Sequence, residues 1–355
     1  MVDKTLLDRE EYRFLKEDPH LGDNIILLGY GGSHAYGTNV PTSDIDIRGI
    51  ARNPLRTIIG TENFEQRENQ ATDTVVYSLN KVTDLLANCN PNVIELLGLR
   101  EEDYFRVDPI GRQLLANKDM FLSRKAQFSF GGYATAQLRR LQNALAHDAY
   151  PQAEKNRHIL GSLKNAMATF NDRYRETDGV NVRLDDKDEL VVDMNLVGYP
   201  LADARGMISE MRSVIREYDK LNHRNTKKDD AHLNKHAMHL VRLLATGEEL
   251  LRTGEIHTYR EKEHDLLMSI RRGDYQYDDH TFRKEFFEIV DDYEKRFQYA
   301  AEHSPLPAKP DMKRINEFVE QVNLDTVMWH VADLQSRKKT LKRQPRDNAR
   351  EGNGL

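Results

Sequence analysis

Cysteine occurs once in these 355 residues, at Cys89. A lone thiol closes no intramolecular disulfide and builds no multi-thiolate zinc site, so a disulfide scaffold and a zinc finger are both excluded and a reducing compartment fits best. Long apolar runs are missing as well. No stretch approaches the roughly 18 uninterrupted apolar residues that span a bilayer, and residues 1–20 carry charges throughout with no apolar signal-peptide core. The expectation is a cytoplasmic protein without a membrane partner. Nor is there an excess of positive charge: 52 Lys and Arg against 58 Asp and Glu leave a net charge of −6. This argues against a basic coat for wrapping duplex nucleic acid, while leaving room for local basic patches. Tryptophan is down to one residue, but 12 Phe, 15 Tyr and 39% hydrophobic residues suffice for a sizeable core. At roughly 150 residues per domain, the length suggests two domains.

The first strong signal is the run Ile25, Ile26, Leu27, Leu28 ended by Gly29, Gly31 and Gly32, which reads as a buried strand entering a tight turn. Residues 44–50 alternate with period two, putting Asp44, Asp46 and Arg48 on one face and Ile45 and Ile47 on the other. Residues 73–79 are rich in β-branched types and form a third candidate strand. Asn90-Pro91 and Asp108-Pro109 each place a capping side chain before a proline, marking two helix starts. From Leu122 onward the period is mostly 3.6, with long amphipathic helices expected after 122, over 202–221 and over 230–251. Residues 180–194 interrupt them as a β-hairpin. Pro305, Pro307 and Pro310 make a rigid break before a last helix over 312–334. Residues 336–355 hold seven Lys or Arg against two acids without apolar periodicity, and are expected to be disordered. They form either a solvated end or a weak RNA contact. The expected plan is a small α/β domain over 1–115, a helical domain over 116–335 and a basic tail over 336–355.

The chemistry concentrates between Gly29 and Ile47. Gly31 and Gly32 let the backbone approach an anion, and the N–H groups of the following helix, with the Ser33 hydroxyl, can cradle a phosphate. Two carboxylates two residues apart on a strand project the same way, about 7 Å apart at Cα, a span that two divalent ions can bridge. Hard oxygen ligands with no nearby Cys favour Mg²⁺ or Mn²⁺ over zinc. Asp73 opens a neighbouring strand, where it either completes the second metal site and accepts a proton from an attacking hydroxyl or caps its strand. Glu95 competes for that acidic role or anchors its own helix by a salt bridge. Together these parts describe nucleotidyl transfer, in which an acceptor oxygen attacks the α-phosphorus of a nucleoside triphosphate and pyrophosphate leaves.

Gly32-Ser33 followed ten residues later by Asp44-Ile45-Asp46-Ile47 resembles the signature of the nucleotidyltransferase superfamily that contains DNA polymerase beta. The longer series GSHAYGTNVPTSDIDIRGI, DTVVYSLNKV, NPNVIELL, FGGYATAQLRRL, NKHAMHLVRLL, EELLRTGEI and LLMSIRRG is similar to predicted bacterial and phage nucleotidyltransferases of the YcgL type, over about residues 25–320. The resemblance implies an α+β fold: a polymerase-beta-like palm, with a small mixed sheet and helices, followed by a mainly helical domain with an inserted β-hairpin. It also implies Mg²⁺, an NTP donor, Ser33 at the triphosphate, and Asp44 and Asp46 at the metal, with the acceptor unassigned. Asp73 carries over less directly, because its strand ends in Tyr77-Ser78-Leu79.

A helical count over 233–251 puts Leu233, Ala237, Leu240, Val241 and Leu244 on one face and His232, Lys235, His239 and Arg242 on the opposite one. That basic stripe is either a solvated face or a wall of the nucleotide cleft, with Lys235, His239 and Arg242 on phosphate or acceptor. Cys89 reads as a small buried residue. From another class, a non-catalytic nucleotide-sensing or RNA-binding protein on the same scaffold competes with the enzyme; the intact Ser33, Asp44 and Asp46 count against it.

Overall fold

The computed structural model describes residues 4–145, 180–187, 190–194, 201, 204, 205, 208, 209, 212, 230–277 and 281–343. The helix expected over 202–221 and the end of the tail fall largely outside the described residues. A five-stranded mixed sheet is built from β1 (Ile25–Tyr30), β2 (Ile47–Ala51), β3 (Gln66–Asn69), β4 (Thr74–Ser78) and β5 (Tyr104–Val107), in the order β3-β4-β2-β1-β5. Only β2 and β4 run parallel. Besides the short turns Phe14–Glu17 and Leu55–Ile58, the helices among the described residues are, in chain order, α1 (Gly32–Ala35), α2 (Leu79–Ala87), α3 (Pro91–Ile94), α4 (Pro109–Ala116), α5 (Ala126–Leu145), α6 (Asp230–Thr253), α7 (His264–Arg272), α8 (Lys284–Glu302) and α9 (Met312–Arg343). The hairpin expected among them is β6 (Val180–Leu184) with β7 (Leu190–Met194). This is an α+β fold: a polymerase-beta-like palm followed by a helical region.

Strand β1, flanked by β2 and β5, is buried almost throughout, as its continuous apolar run requires. Ile25 and Leu28 pack in one core with Ile47, Ala51, Val76 and Phe105. The charged N-terminal segment, which carries no clean periodicity, contributes Leu6, Tyr12 and Leu15 to that same core. Helices α2 and α4 pack on the sheet. Both proline-marked helix starts form as expected: Asn90 accepts from the Asn92 N–H and Asp108 accepts from the Gly111 N–H at 2.7 Å.

Two strand boundaries differ from expectation. Pairing of β1 with β2 ends at Tyr30 opposite Ile47. Beyond Tyr30 the chain leaves the sheet into the glycine turn, and the Gly31 N–H reaches the Asp46 carbonyl at 2.9 Å. The strand expected from Asp44 therefore starts at Ile47, and both acids lie on the chain leading into it. Asp73 likewise sits before β4, with φ at +42°, in the left-handed region that Asp tolerates better than most residues. The last helix runs to Arg343, past the expected end at 334, because residues 335–343 contain neither glycine nor proline to stop it.

By contacts between residues, the chain divides into two compact units: 1–136 with 238–275 and 283–355, and 137–237 with 276–282. The palm and most of α6, with α7, α8 and α9, thus share the first unit. Inside it Gly247 of α6 is pressed against α5 and α8, where a methyl group would meet Phe297 at 2.6 Å and Phe130 at 3.0 Å. The second unit contains the β6–β7 hairpin. Among the described residues no helix is long and apolar enough to cross a membrane.

Candidate active site

The glycine turn and the acids assemble at the end of β1. Gly32 has φ at +54°, and a Cβ there would overlap Oδ2 of Asp46, so only glycine lets this carboxylate lie against the turn. The Gly32 N–H points to Oε1 of Glu95 at 3.4 Å. Ser33 follows in α1 and is buried. Asp46 is largely shielded, with Oδ1 3.5 Å from Nη2 of Arg48. Asp44 is exposed and makes no ion pair with a described residue. The sequence reading placed Arg48 on one strand face with both acids; of the two, Asp46 meets it, and both acids lie before the strand.

Arg48 also engages Asp73, donating from Nη1 to its carbonyl at 2.6 Å and from Nη2 to Oδ1 at 3.2 Å. Asp46 and Asp73 thus converge on one guanidinium nitrogen. Among the described residues no group of three or more His, Cys, Asp and Glu side chains is poised to hold a metal ion. A preformed three-carboxylate cage is not the requirement for Mg²⁺, which keeps several waters and is held by one or two carboxylates plus substrate phosphates. Asp44 and Asp46, hard oxygen donors on one short segment with no thiolate or imidazole between them, fit that mode.

Glu95 is the acid that sequence reasoning underrated. It is 5% exposed, set against the glycine turn, and burial pushes its carboxyl up to about 7, against the pull of Arg242, Arg48 and the Gly32 N–H. Nearby Asp46 raises it further. Its motif, Asn90-Pro91-Asn92-Val93-Ile94-Glu95, carried the helix start legibly, but nothing local says that Glu95 faces a turn 63 residues earlier.

The basic stripe of α6 divides. Leu233, Ala237, Leu240, Val241 and Leu244 are buried, as the helical count requires. Lys235 is exposed and belongs to the second unit, His239 is half-buried, and Arg242 is 8% exposed, with its guanidinium carbon 3.7 Å above the Tyr36 ring. Tyr36 is buried, and its phenol is pushed up to about 12 by desolvation, only partly offset by Arg242. Helix α7 secures the loop between the glycine turn and Asp44 at two points. His264 bonds the Gly37 carbonyl through Nε2 at 2.9 Å, and Arg271 donates to Ser43 Oγ at 3.0 Å.

Residues 8–167 match the model of the RlaP family, described as an RNA repair pathway DNA polymerase beta family. The matched stretch holds the whole five-stranded sheet, the glycine turn, Asp44, Asp46, Asp73 and Glu95; Arg242 and Arg271 lie beyond it. Over that stretch the chain is similar to polymerase-beta-like nucleotidyltransferases, and the match supports this class of activity. Neither a curated protein nor a solved structure matches the chain.

Proposed function

We propose that the protein transfers a nucleoside monophosphate from an NTP to a hydroxyl acceptor, releasing pyrophosphate, as enzymes of EC class 2.7.7 do. The observation that carries this reading is the convergence of Asp46 and Glu95 on the glycine turn that also bears Ser33. The acceptor oxygen forms a bond to the α-phosphorus while the bond to the bridging oxygen of the β-phosphate breaks. Glu95, with a carboxyl that changes charge near pH 7, is the group we assign to take the acceptor's proton. Asp73, held by Arg48, positions that arginine against Asp46. Ser33 donates to the donor's phosphates. Asp44 and Asp46 would hold Mg²⁺ or Mn²⁺, which supplies neutralisation of charge on the phosphates.

An RNA 3′ end is the acceptor we favour over a protein hydroxyl or a small molecule, since the matched family model is described by RNA repair and the last helix ends in the basic run Arg337 to Arg343. The similarity to YcgL-type proteins is compatible with this. The lone, buried Cys89 fits the cytoplasm. Incubation with each α-labelled NTP, Mg²⁺ and a cell extract, followed by separation of RNA, protein and small molecules, tests the proposal. Label on one of the three with release of pyrophosphate is expected. Nucleotide binding with no labelled product would instead favour the non-catalytic scaffold, a reading that gains from Arg48 already engaging both Asp46 and Asp73.

A further inference from the structure

Among the described residues, buried arginines come in two kinds. Arg260 is 6% exposed and faces Glu249 at 2.7 Å and Glu263 at 3.2 Å. Its charge is fully answered from within the fold. Arg242 is equally buried, yet its Nε and Nη1 have no hydrogen-bond partner, and it forms no ion pair with a described acid. Arg271 uses one nitrogen on Ser43 and leaves Nη1 buried without a partner. The two guanidinium groups are close enough for each other's charge to be felt: burial, and after it the charge of Arg242, lowers the proton affinity of Arg271. Nε2 of His34, in α1 directly after the glycine turn, is likewise buried without a partner, and the same ring hydrogen-bonds the Ser43 backbone.

Buried N–H groups with no acceptor are rare in folded proteins and costly, the more so when they are charged and repel one another. Glu95 is the acid whose charge reaches Arg242, but its high proton affinity makes it a poor counter-ion. What satisfies two guanidinium forks side by side is an anion with several oxygens in fixed geometry, and phosphate matches the fork. We infer that Arg242 and Arg271, with His34 and Ser43 beside them, form a built receptor for a polyphosphate, filled by the terminal phosphates of the donor nucleotide. The inference rests on the transfer reading for the identity of the ligand, but its chemistry, a polyphosphate held without metal, stands apart from catalysis. It also gives α7 a role that its sequence, His-Asp-Leu-Leu-Met-Ser-Ile-Arg-Arg, does not announce.

The test is calorimetric titration of the full chain in EDTA with tripolyphosphate, pyrophosphate, orthophosphate and ATP. Tripolyphosphate should bind at least tenfold more tightly than orthophosphate. Arg271→Gln and Arg242→Gln should each weaken tripolyphosphate and ATP by about tenfold or more, the loss expected for a hydrogen bond to a charged group. Both variants should melt no lower than the wild type without ligand, since each removes a buried charge that nothing answers. Arg271 is the less buried of the two, so Arg271→Gln decides if Arg242→Gln does not fold. Affinity within twofold of wild type in Arg271→Gln, or a lowered melting temperature without ligand, would overturn the receptor. Loss of tripolyphosphate binding with ATP unaffected would overturn its assignment to the donor's tail. Intact arginine-dependent binding of tripolyphosphate and ATP without nucleotidyl transfer would refute the proposed reaction and leave the receptor standing.

Discussion

Arg260 and Arg242 lie in the same compact unit and are buried to nearly the same degree. One has two carboxylates within ion-pair distance, and the other has aromatic stacking and empty donors. Burial alone therefore does not separate an architectural charge from a functional one; the partner set does. Around Arg260 the charges close on themselves, including Arg296 on Glu248. The palm side repeats the contrast in the opposite sign. Asp46 is answered by Arg48, whereas Asp44 is exposed with no described ion-pair partner. On the proposed reading, Asp44 would meet the donor's cation and the arginine pair its polyphosphate.

The largest expected effect breaks the closed region. Arg260→Met leaves the half-buried Glu249 and Glu263 without their cation and should cost about 3 kcal/mol in urea unfolding, the lower end expected when one partner of a largely buried ion pair is removed. Arg271→Gln, in the open region, should cost nothing. Equal losses in both would erase the distinction.

Glu95 comes next. Its carboxyl holds a proton up to about 7 in the folded chain, against an ordinary value of 4.5. Between those values the folded state binds more protons than the unfolded state, so stability falls as pH rises from about 4.5 to about 7, by on the order of 3 kcal/mol. Glu95→Gln should flatten that slope and gain stability above pH 7, read as melting temperature against pH in EDTA. A slope unchanged by the substitution would mean that Glu95 ionises normally.

Gly32→Ala forces a side chain into a left-handed position and into Asp46. A loss of about 1–2 kcal/mol is expected from the backbone alone, with reduced transfer as the Asp46 carboxylate is displaced. An unaltered denaturation midpoint would show that the turn relaxes freely. Smallest is Lys235→Gln: this exposed side chain should change stability by no more than about 0.5 kcal/mol and leave ATP affinity at wild type, where Arg242→Gln weakens it. A comparable loss at both positions would restore the basic stripe as one surface.

Much of the palm was legible because its signals are local. The apolar run of β1, the glycines after it and the proline caps of α3 and α4 each determine backbone conformation within a few residues. Strand β3, Gln-Arg-Glu-Asn, carries no apolar alternation, and it exists only because β4 offers it an edge. The division of the α6 stripe was beyond a helical count, which gives direction around the axis but not what lies there. Tyr36 covers Arg242, about two hundred residues earlier in the chain, and Ser43 lies 228 residues from Arg271. Glu95 was ambiguous for the same reason. Its high proton affinity comes from the burial that tertiary packing creates, not from its neighbours in sequence.

The most direct test of nucleotidyl transfer at this turn is label transfer from α-labelled NTP by the Asp44→Asn, Asp46→Asn double variant. The change removes two negative charges and little volume, so the variant should fold and melt cooperatively. Asp73→Asn serves as the parallel, since the Asp73 carbonyl keeps its hold on Arg48. Loss of transfer by a factor of about 10³ or more in the double variant, with Asp73→Asn retaining most of it, is the predicted result. Transfer near wild type by a folded double variant would contradict it.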